Sequence, residues 1–296
     1  MSSQAPQQLF EFKDVFIENL HVLPNGHLLI STMKSPGLLY TLDPKAEEPT
    51  PKAITGFGNA TAVTGIVPLG GDLFAIGGGV HTHFAFERGT MQVYIVSLET
   101  HKVVSSVPVP ETATINGLAP LPGTTDVVLG ADTIDGRIFA INLTTKDVSV
   151  LLDHATLKAS TASGYGPPLG INGIRAYKDY VYFTNSGEGT FARFRVDGGS
   201  KADDVEIVAS IPRKGLAFDD FIFDNEGNAY IATHPGSVIK VNPDGEVSTI
   251  AGDGPDSIFK EATSAAMSLD QKSIYISTGG DFINKTIGGQ IIEVQL

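Results

Sequence analysis

The sequence predicts an all-β fold, a six-bladed β-propeller built as one domain over residues 1–296. Three observations carry that expectation: a strand-turn-strand unit recurs along the chain, it recurs at a nearly constant spacing, and its last copy lacks an outer strand. The first copy runs from Phe16 to Ile30, where Pro24-Asn25-Gly26 separates two short apolar strands. Pro presets one turn angle and Gly accepts positive φ, so Asn25-Gly26 marks a hairpin bend.

Further copies begin at Thr64, Asn116, Asn172, Asp219 and Ser264. With Glu18 as the first starting residue, the steps are 46, 52, 56, 47 and 45 residues. Four strands repeated at this interval are the mark of a propeller blade. Third strands follow at Leu38 to Leu42, Gln92 to Val96, Arg137 to Ile141, Ala192 to Val196, Val238 to Val241 and Gln290 to Val294. Fourth strands, such as Val148 to Leu152 and Val205 to Val208, follow in the first five units only. The sequence ends at Leu296, so the unmatched strand Leu9 to Lys13 is expected to complete the sixth blade. Pairing the two ends would close the ring and remove open sheet edges.

Composition agrees with many turns: 33 Gly and 17 Pro, with no Cys and no Trp. Without Cys, disulfides, thiolate metal sites and a Cys nucleophile are all excluded. A net charge of −13 argues against nucleic acid as a partner, because phosphates need a basic face. No apolar run reaches membrane-spanning length. The polar start Met1 to Gln8 does not read as a secretory signal, so a cytoplasmic location is expected. A closed ring also leaves no sheet edge that demands a protein partner.

In a propeller the first strand of each blade lines a central channel, and its beginning opens on one face. Glu18, Thr64, Asn116, Asn172, Asp219 and Ser264 are therefore expected to converge at the channel mouth. All six are polar, each directly before an apolar strand. An unpartnered buried carboxylate costs on the order of several kcal/mol. A hard cation held by Glu18, Asp219 and the amide oxygens of Asn172 and Asn116 would offset that cost, and an all-oxygen set suits Ca²⁺, Mg²⁺ or Mn²⁺. The competing reading is that these residues only cap loop-to-strand turns.

These motifs resemble those of six-bladed propellers of the senescence-marker-protein/gluconolactonase type. That resemblance implies Glu18, Asn172 (in Ile171-Asn172-Gly173-Ile174) and Asp219 as divalent-metal ligands, Ca²⁺ foremost, with Asn116 near substrate. The family's Glu-Gly-Pro motif is replaced here by Glu18-Asn19-Leu20, and its Trp residues are missing. These departures, with Asp219-Asp220-Phe221 and Ala262-Thr263-Ser264-Ala265, are similar to a divergent branch from fungal natural-product pathways. That branch includes enzymes similar to hetero-Diels-Alderases, which join a quinone methide to an alkene.

Loops on the mouth face supply the other candidates: Asn185, His234, and Tyr165 in the turn-rich stretch before the fourth blade. The longest such loop, Gly77 to Phe86, carries His81, His83, Phe84 and Phe86 and is longer than a turn requires. Alternation would put both imidazoles on one side of an extended segment, and the two Phe could wall an apolar substrate.

Two enzymatic expectations follow. A cyclase would hold diene and alkene together with no cofactor required, using Asp219, His81 or His83 as acid or base, and Thr64, Asn116, Ser264, Phe84, Phe86, Tyr165, Asn185 and His234 against the small-molecule substrate. A lactonase would use one divalent cation on Glu18, Asn172 and Asp219. A protein scaffold is disfavoured, because the repeat signatures of the common scaffold propellers are missing.

Overall fold

A computed structural model describes residues 5–82, 85–196, 205–254, 256–281 and 286–296. Six four-stranded antiparallel sheets are arranged as the blades of a propeller. Their innermost strands are Phe16–Val22, Ala62–Gly70, Ile115–Pro120, Ile171–Tyr177, Ala217–Phe223 and Ala262–Met267. Each packs against its counterparts in the two neighbouring blades, closing a ring about the axis. Among the described residues no helix is long and apolar enough to cross a membrane.

The ring closes as the repeat pattern requires. Gln7–Glu11 pairs antiparallel with Gln290–Gln295 and becomes the outer strand of the sixth blade. This strand begins two residues before the expected Leu9. Pairing sets its bounds: Gln7 stands opposite Glu293 and Glu11 opposite Gln290. Phe12 instead turns inward and is buried.

Alternating apolar residues explain why the blades stack. Each blade interface encloses its own apolar cluster. Val67, Val93, Ile115 and Phe139 fill the second interface. Phe12, Ile17, Leu28, Tyr275 and Ile291 fill the one that joins the sixth blade to the first. Outer strands keep one face in water, which is why Val104, Val150 and Ile207 remain exposed.

Pairing is irregular at one corresponding place in every innermost strand, and the second has a further shift between Pro68 and Gly70. The register shifts fall across Glu18, Thr64-Gly65, Asn116-Gly117, Asn172-Gly173, Asp219-Asp220 and Thr263. A bulge puts two residues opposite one and re-aims their side chains. Each inner strand thereby contributes two successive residues to the channel, in two layers. The upper layer holds Glu18, Thr64, Asn116, Asn172, Asp219 and Thr263; the lower holds Asn19, Gly65, Gly117, Gly173, Asp220 and Ser264.

The lower layer explains the recurring Asn-Gly pairs, in which the glycine is needed for close approach between blades. A Cβ on Gly65 would stand 2.6 Å from Asn116 O, and one on Gly117 would stand 2.6 Å from Asn172 O. Opposite the glycines, Asn19 donates to Asp220 Oδ2 at 2.7 Å, and Ser264 Oγ lies 3.1 Å from Asn19 Oδ1. Arg175 completes this floor through an ion pair with Asp220.

Candidate active site at the channel mouth

Three carboxyl groups and one imidazole meet above that floor. Asp219 is the bulged residue of the fifth inner strand, and His234 ends the neighbouring strand Ala229–His234 of the same blade. His234 Nε2 lies 2.7 Å from Asp219 Oδ2, and its Nδ1 lies 2.8 Å from Glu261 Oε2. Tyr165 donates its hydroxyl to the same Glu261 oxygen at 2.5 Å. Its ring stacks on His234 with centroids 5.5 Å apart and planes 6° from parallel.

Burial works against a charged His234, yet its bonds to Asp219 and Glu261 carry its pKa up to about 10. We place the shared proton on this ring, because it faces a carboxylate on each side. Glu18 is 6 % exposed, and burial, followed by the neighbouring charge of Asp219, pushes its carboxyl up to about 8. A hydrogen bond with the Asn116 side chain pulls the other way. At neutral pH Glu18 therefore keeps its proton; burial raises the Asp219 carboxyl as well, and it is the bond to the His234 imidazolium that opposes this and holds Asp219 ionised. Burial, then the bond to Glu261, pushes Tyr165 up, so its hydroxyl stays protonated.

The structure brings Glu18, Asn116, Asp219, His234 and Tyr165 into one constellation. Asn172 occupies the same upper layer. Its Nδ2 donates to Ser186 Oγ at 3.0 Å, and Ser186 in turn donates to Phe218 O at 2.7 Å. That leaves the buried Oδ1 of Asn172 without a hydrogen-bond partner.

Other predicted residues are placed elsewhere. Thr64 lies in the upper layer but donates its hydroxyl to Ile115 O at 2.5 Å, which ties the second blade to the third. Ser264 sits one layer deeper than its expected place, and Thr263 takes that place, donating to Ile17 O at 2.9 Å. The sixth repeat is offset by one residue because its bulge falls on Thr263. Asn185 lies at a blade edge: its amide donates to Thr156 O and Lys158 O, both at 2.9 Å, and its Oδ1 accepts from Glu188 N.

The long second-blade loop folds into a small hairpin in which His81–Thr82 pairs with Ala85–Phe86. The His81 ring packs on Phe86 at 5.5 Å between centroids. His83 and Phe84 lie outside the described residues.

Glu261 is the site residue that sequence reasoning missed. It falls before the sixth repeat motif, just outside the aligned position. The signal available was an acidic residue directly preceding the Ala262-Thr263 start of an inner strand.

A divalent cation, as the gluconolactonase-type resemblance implies, fits part of this donor set. The orphaned Asn172 Oδ1 and the Glu18 and Asp219 carboxyls are all hard oxygen donors in the upper layer. Among the described residues, however, no three His, Asp or Glu side chains cluster tightly enough to form a metal site. Any such site must rest on the amide oxygen together with the carboxylates.

Fold and mouth together define a six-bladed propeller with an acid–base cluster at one end of its channel. No family model matches the chain. By sequence it is similar to a protein of Phoma sp described as "Putative hetero-Diels-Alderase", with 26 % identity over 269 residues, 81 % of this chain and 75 % of that one. By structure it is similar to a gluconolactonase from Xanthomonas campestris, with a TM-score of 0.64 and 12 % identity over 100 % of this chain and 96 % of the other. The calcium-binding protein regucalcin from Agrobacterium tumefaciens gives a TM-score of 0.68 at 14 % identity, covering 99 % of this chain and 93 % of its own. At these identities the two structures establish the propeller architecture shared with this chain.

Proposed function

We propose that this protein is a small-molecule cyclase of the hetero-Diels-Alderase type, acting at the channel mouth on a quinone methide and an alkene. The observation that carries the reading is His234 bridging Asp219 and Glu261 beside a protonated Glu18, since this places an acid and a base side by side. The similarity to the Phoma protein supports the same reaction class.

A hydroxybenzyl alcohol is a suitable precursor. Glu18 protonates the benzylic hydroxyl, the C–O bond breaks, and water leaves. Asp219 takes the phenolic proton, and the electron pair of that O–H bond becomes the quinone-methide carbonyl. Proton return from Asp219 to Glu18 resets the pair. General acid–base assistance of this kind contributes about 10² to 10⁴ in rate. The heterodiene then meets the alkene, forming one C–C and one C–O bond. Holding the partners in near-attack geometry can supply about 7 to 11 kcal/mol of a bimolecular barrier.

The test is to incubate the protein with 2-hydroxybenzyl alcohol and a 1,1-disubstituted alkene, then measure rate and enantiomeric excess of the dihydropyran. An enzyme-dependent excess that disappears in Asp219→Asn supports the reading. Racemic product at the uncatalysed rate from the wild type overturns it.

A second reading is a metal-dependent lactonase, favoured by the orphaned Asn172 Oδ1. Glu18, Asn172 and Asp219 would hold the cation, which would polarise the lactone carbonyl when bound. The chain's own groups would orient the ring, with Asp219 as the base that takes the proton of the attacking water. Hydrolysis of dihydrocoumarin that requires added Ca²⁺ would select this reading over the first.

A further inference from the structure

The mouth does not end at Glu261. A cavity of about 730 Å³ opens beside it, between the fifth and sixth blades, with Glu261 as the shared wall. Its size lies within the range of small-molecule sites, roughly 300 to 1,000 Å³. Leu216, Pro235, Phe259 and Ile287 supply apolar lining.

Two polar groups in this lining have no use in the fold. Ser237 is 2 % exposed, and its hydroxyl has no hydrogen-bond partner. Leaving such a group unpaired is unfavourable, and an incoming acceptor would recover the lost hydrogen bond. Lys260 also lines the cavity, and among the described residues no carboxylate lies within ion-pairing distance of its ammonium. The other charges of the lining are engaged. Arg213 pairs with Asp253, Glu261 is held by His234 and Tyr165, and Asp281 accepts from Thr286 Oγ1 at 2.7 Å.

From this arrangement we infer that the cavity is a second substrate subsite, specific for an apolar or aromatic molecule bearing a carboxylate. The carboxylate is received by Lys260 and the Ser237 hydroxyl, and the apolar body lies on Phe259, Leu216 and Ile287. A carboxylate fits better than a phenol because it is ionised at neutral pH, where an unpaired ammonium gains most. The assignment rests on the mouth being the reacting centre, since Glu261 belongs to both spaces. It makes Lys260 and Ser237 specificity-determining residues and gives one of the two reactants an acidic arm.

The experiment is equilibrium binding by calorimetry, which needs no turnover. The probes are 2-naphthoate and its neutral isostere 2-naphthamide, tested on the wild type, Lys260→Met, Ser237→Ala and Asp219→Asn, each first shown to be folded by circular dichroism. Wild type is expected to bind naphthoate about tenfold tighter than naphthamide, the contribution of one charge-assisted hydrogen bond. Lys260→Met should abolish that preference and Ser237→Ala should weaken naphthoate several-fold. Asp219→Asn should retain the preference while losing turnover. Equal or absent binding of the two probes by the wild type, or an unchanged preference in Lys260→Met, overturns the subsite. Neither result touches the cyclase reading, which stands or falls on the Asp219→Asn turnover assay.

Discussion

His234 Nε2 lies 2.7 Å from Asp219 Oδ2, and the opposite nitrogen of the same ring lies 2.8 Å from Glu261. A ring gripped on both sides is fixed in orientation as well as in charge. Removing one grip should therefore change different properties from removing the other.

Asp219→Asn replaces the proton acceptor with a neutral isostere of the same volume. Turnover should fall by about 10² to 10⁴, the contribution of positioned acid–base catalysis. Substrate affinity should change little, which kcat measured separately from KM checks, while the melting temperature should fall because one partner of the buried Asp219–His234 pair is lost.

Glu261→Gln removes a charge from the far side of the ring. His234, now facing a single carboxylate, should titrate below its wild-type value of about 10. Nitrogen-15 NMR of the imidazole reads this directly: the wild-type ring should stay protonated at pH 8, and the variant ring should lose its proton earlier. Tyr165→Phe should leave the His234 titration nearer the wild type, because the tyrosine hydroxyl adds no charge.

His21 offers a pH test away from the mouth. Burial, followed by the charge of Arg175, lowers its pKa to about 4 from an ordinary 6.5. The folded state thus prefers the neutral ring. The stability tied to His21 is fully present above pH 6.5 and is lost as pH falls toward 4. The full loss, on the order of 2 to 3 kcal/mol after allowing for partial exposure, should appear in urea unfolding. In His21→Leu the decline between pH 6.5 and 4 should be shallower by that amount.

On the cation-binding reading, Ca²⁺ raises the melting temperature of chelator-washed wild type by mass action. Asn172→Ala should abolish the rise, because the amide oxygen without a protein partner is removed. If turnover survives chelation while the melting shift is seen, the cation is structural and the cyclase reading is kept.

Gly65→Ala tests the close approach of the blades. The added methyl would stand 2.6 Å from both Asn116 O and Leu118 N, which are backbone atoms that cannot swing away. Overpacking of this kind costs about 1 to 3 kcal/mol, and the denaturant midpoint should fall with little change in slope.

Much of this architecture was legible in the residues. The repeat steps placed all six blades, and an unmatched N-terminal strand beside a sixth unit of three strands foretold the pairing of that strand with the last blade. Strand period and turn chemistry are local, so the sequence carries them openly. Polar residues at the starts of inner strands marked the mouth for the same reason: at a core-facing position, they require an explanation. Tertiary structure decided what each of them does. Thr64 and Asn185 spend their hydrogen bonds on neighbouring segments, Ser264 drops one layer because the sixth bulge falls on Thr263, and Glu261 reaches His234 across a blade boundary. None of these outcomes follows from spacing along the chain. A side chain's partners depend on which blade stands beside it and on where a bulge turns its Cβ, and both are fixed only when the ring closes.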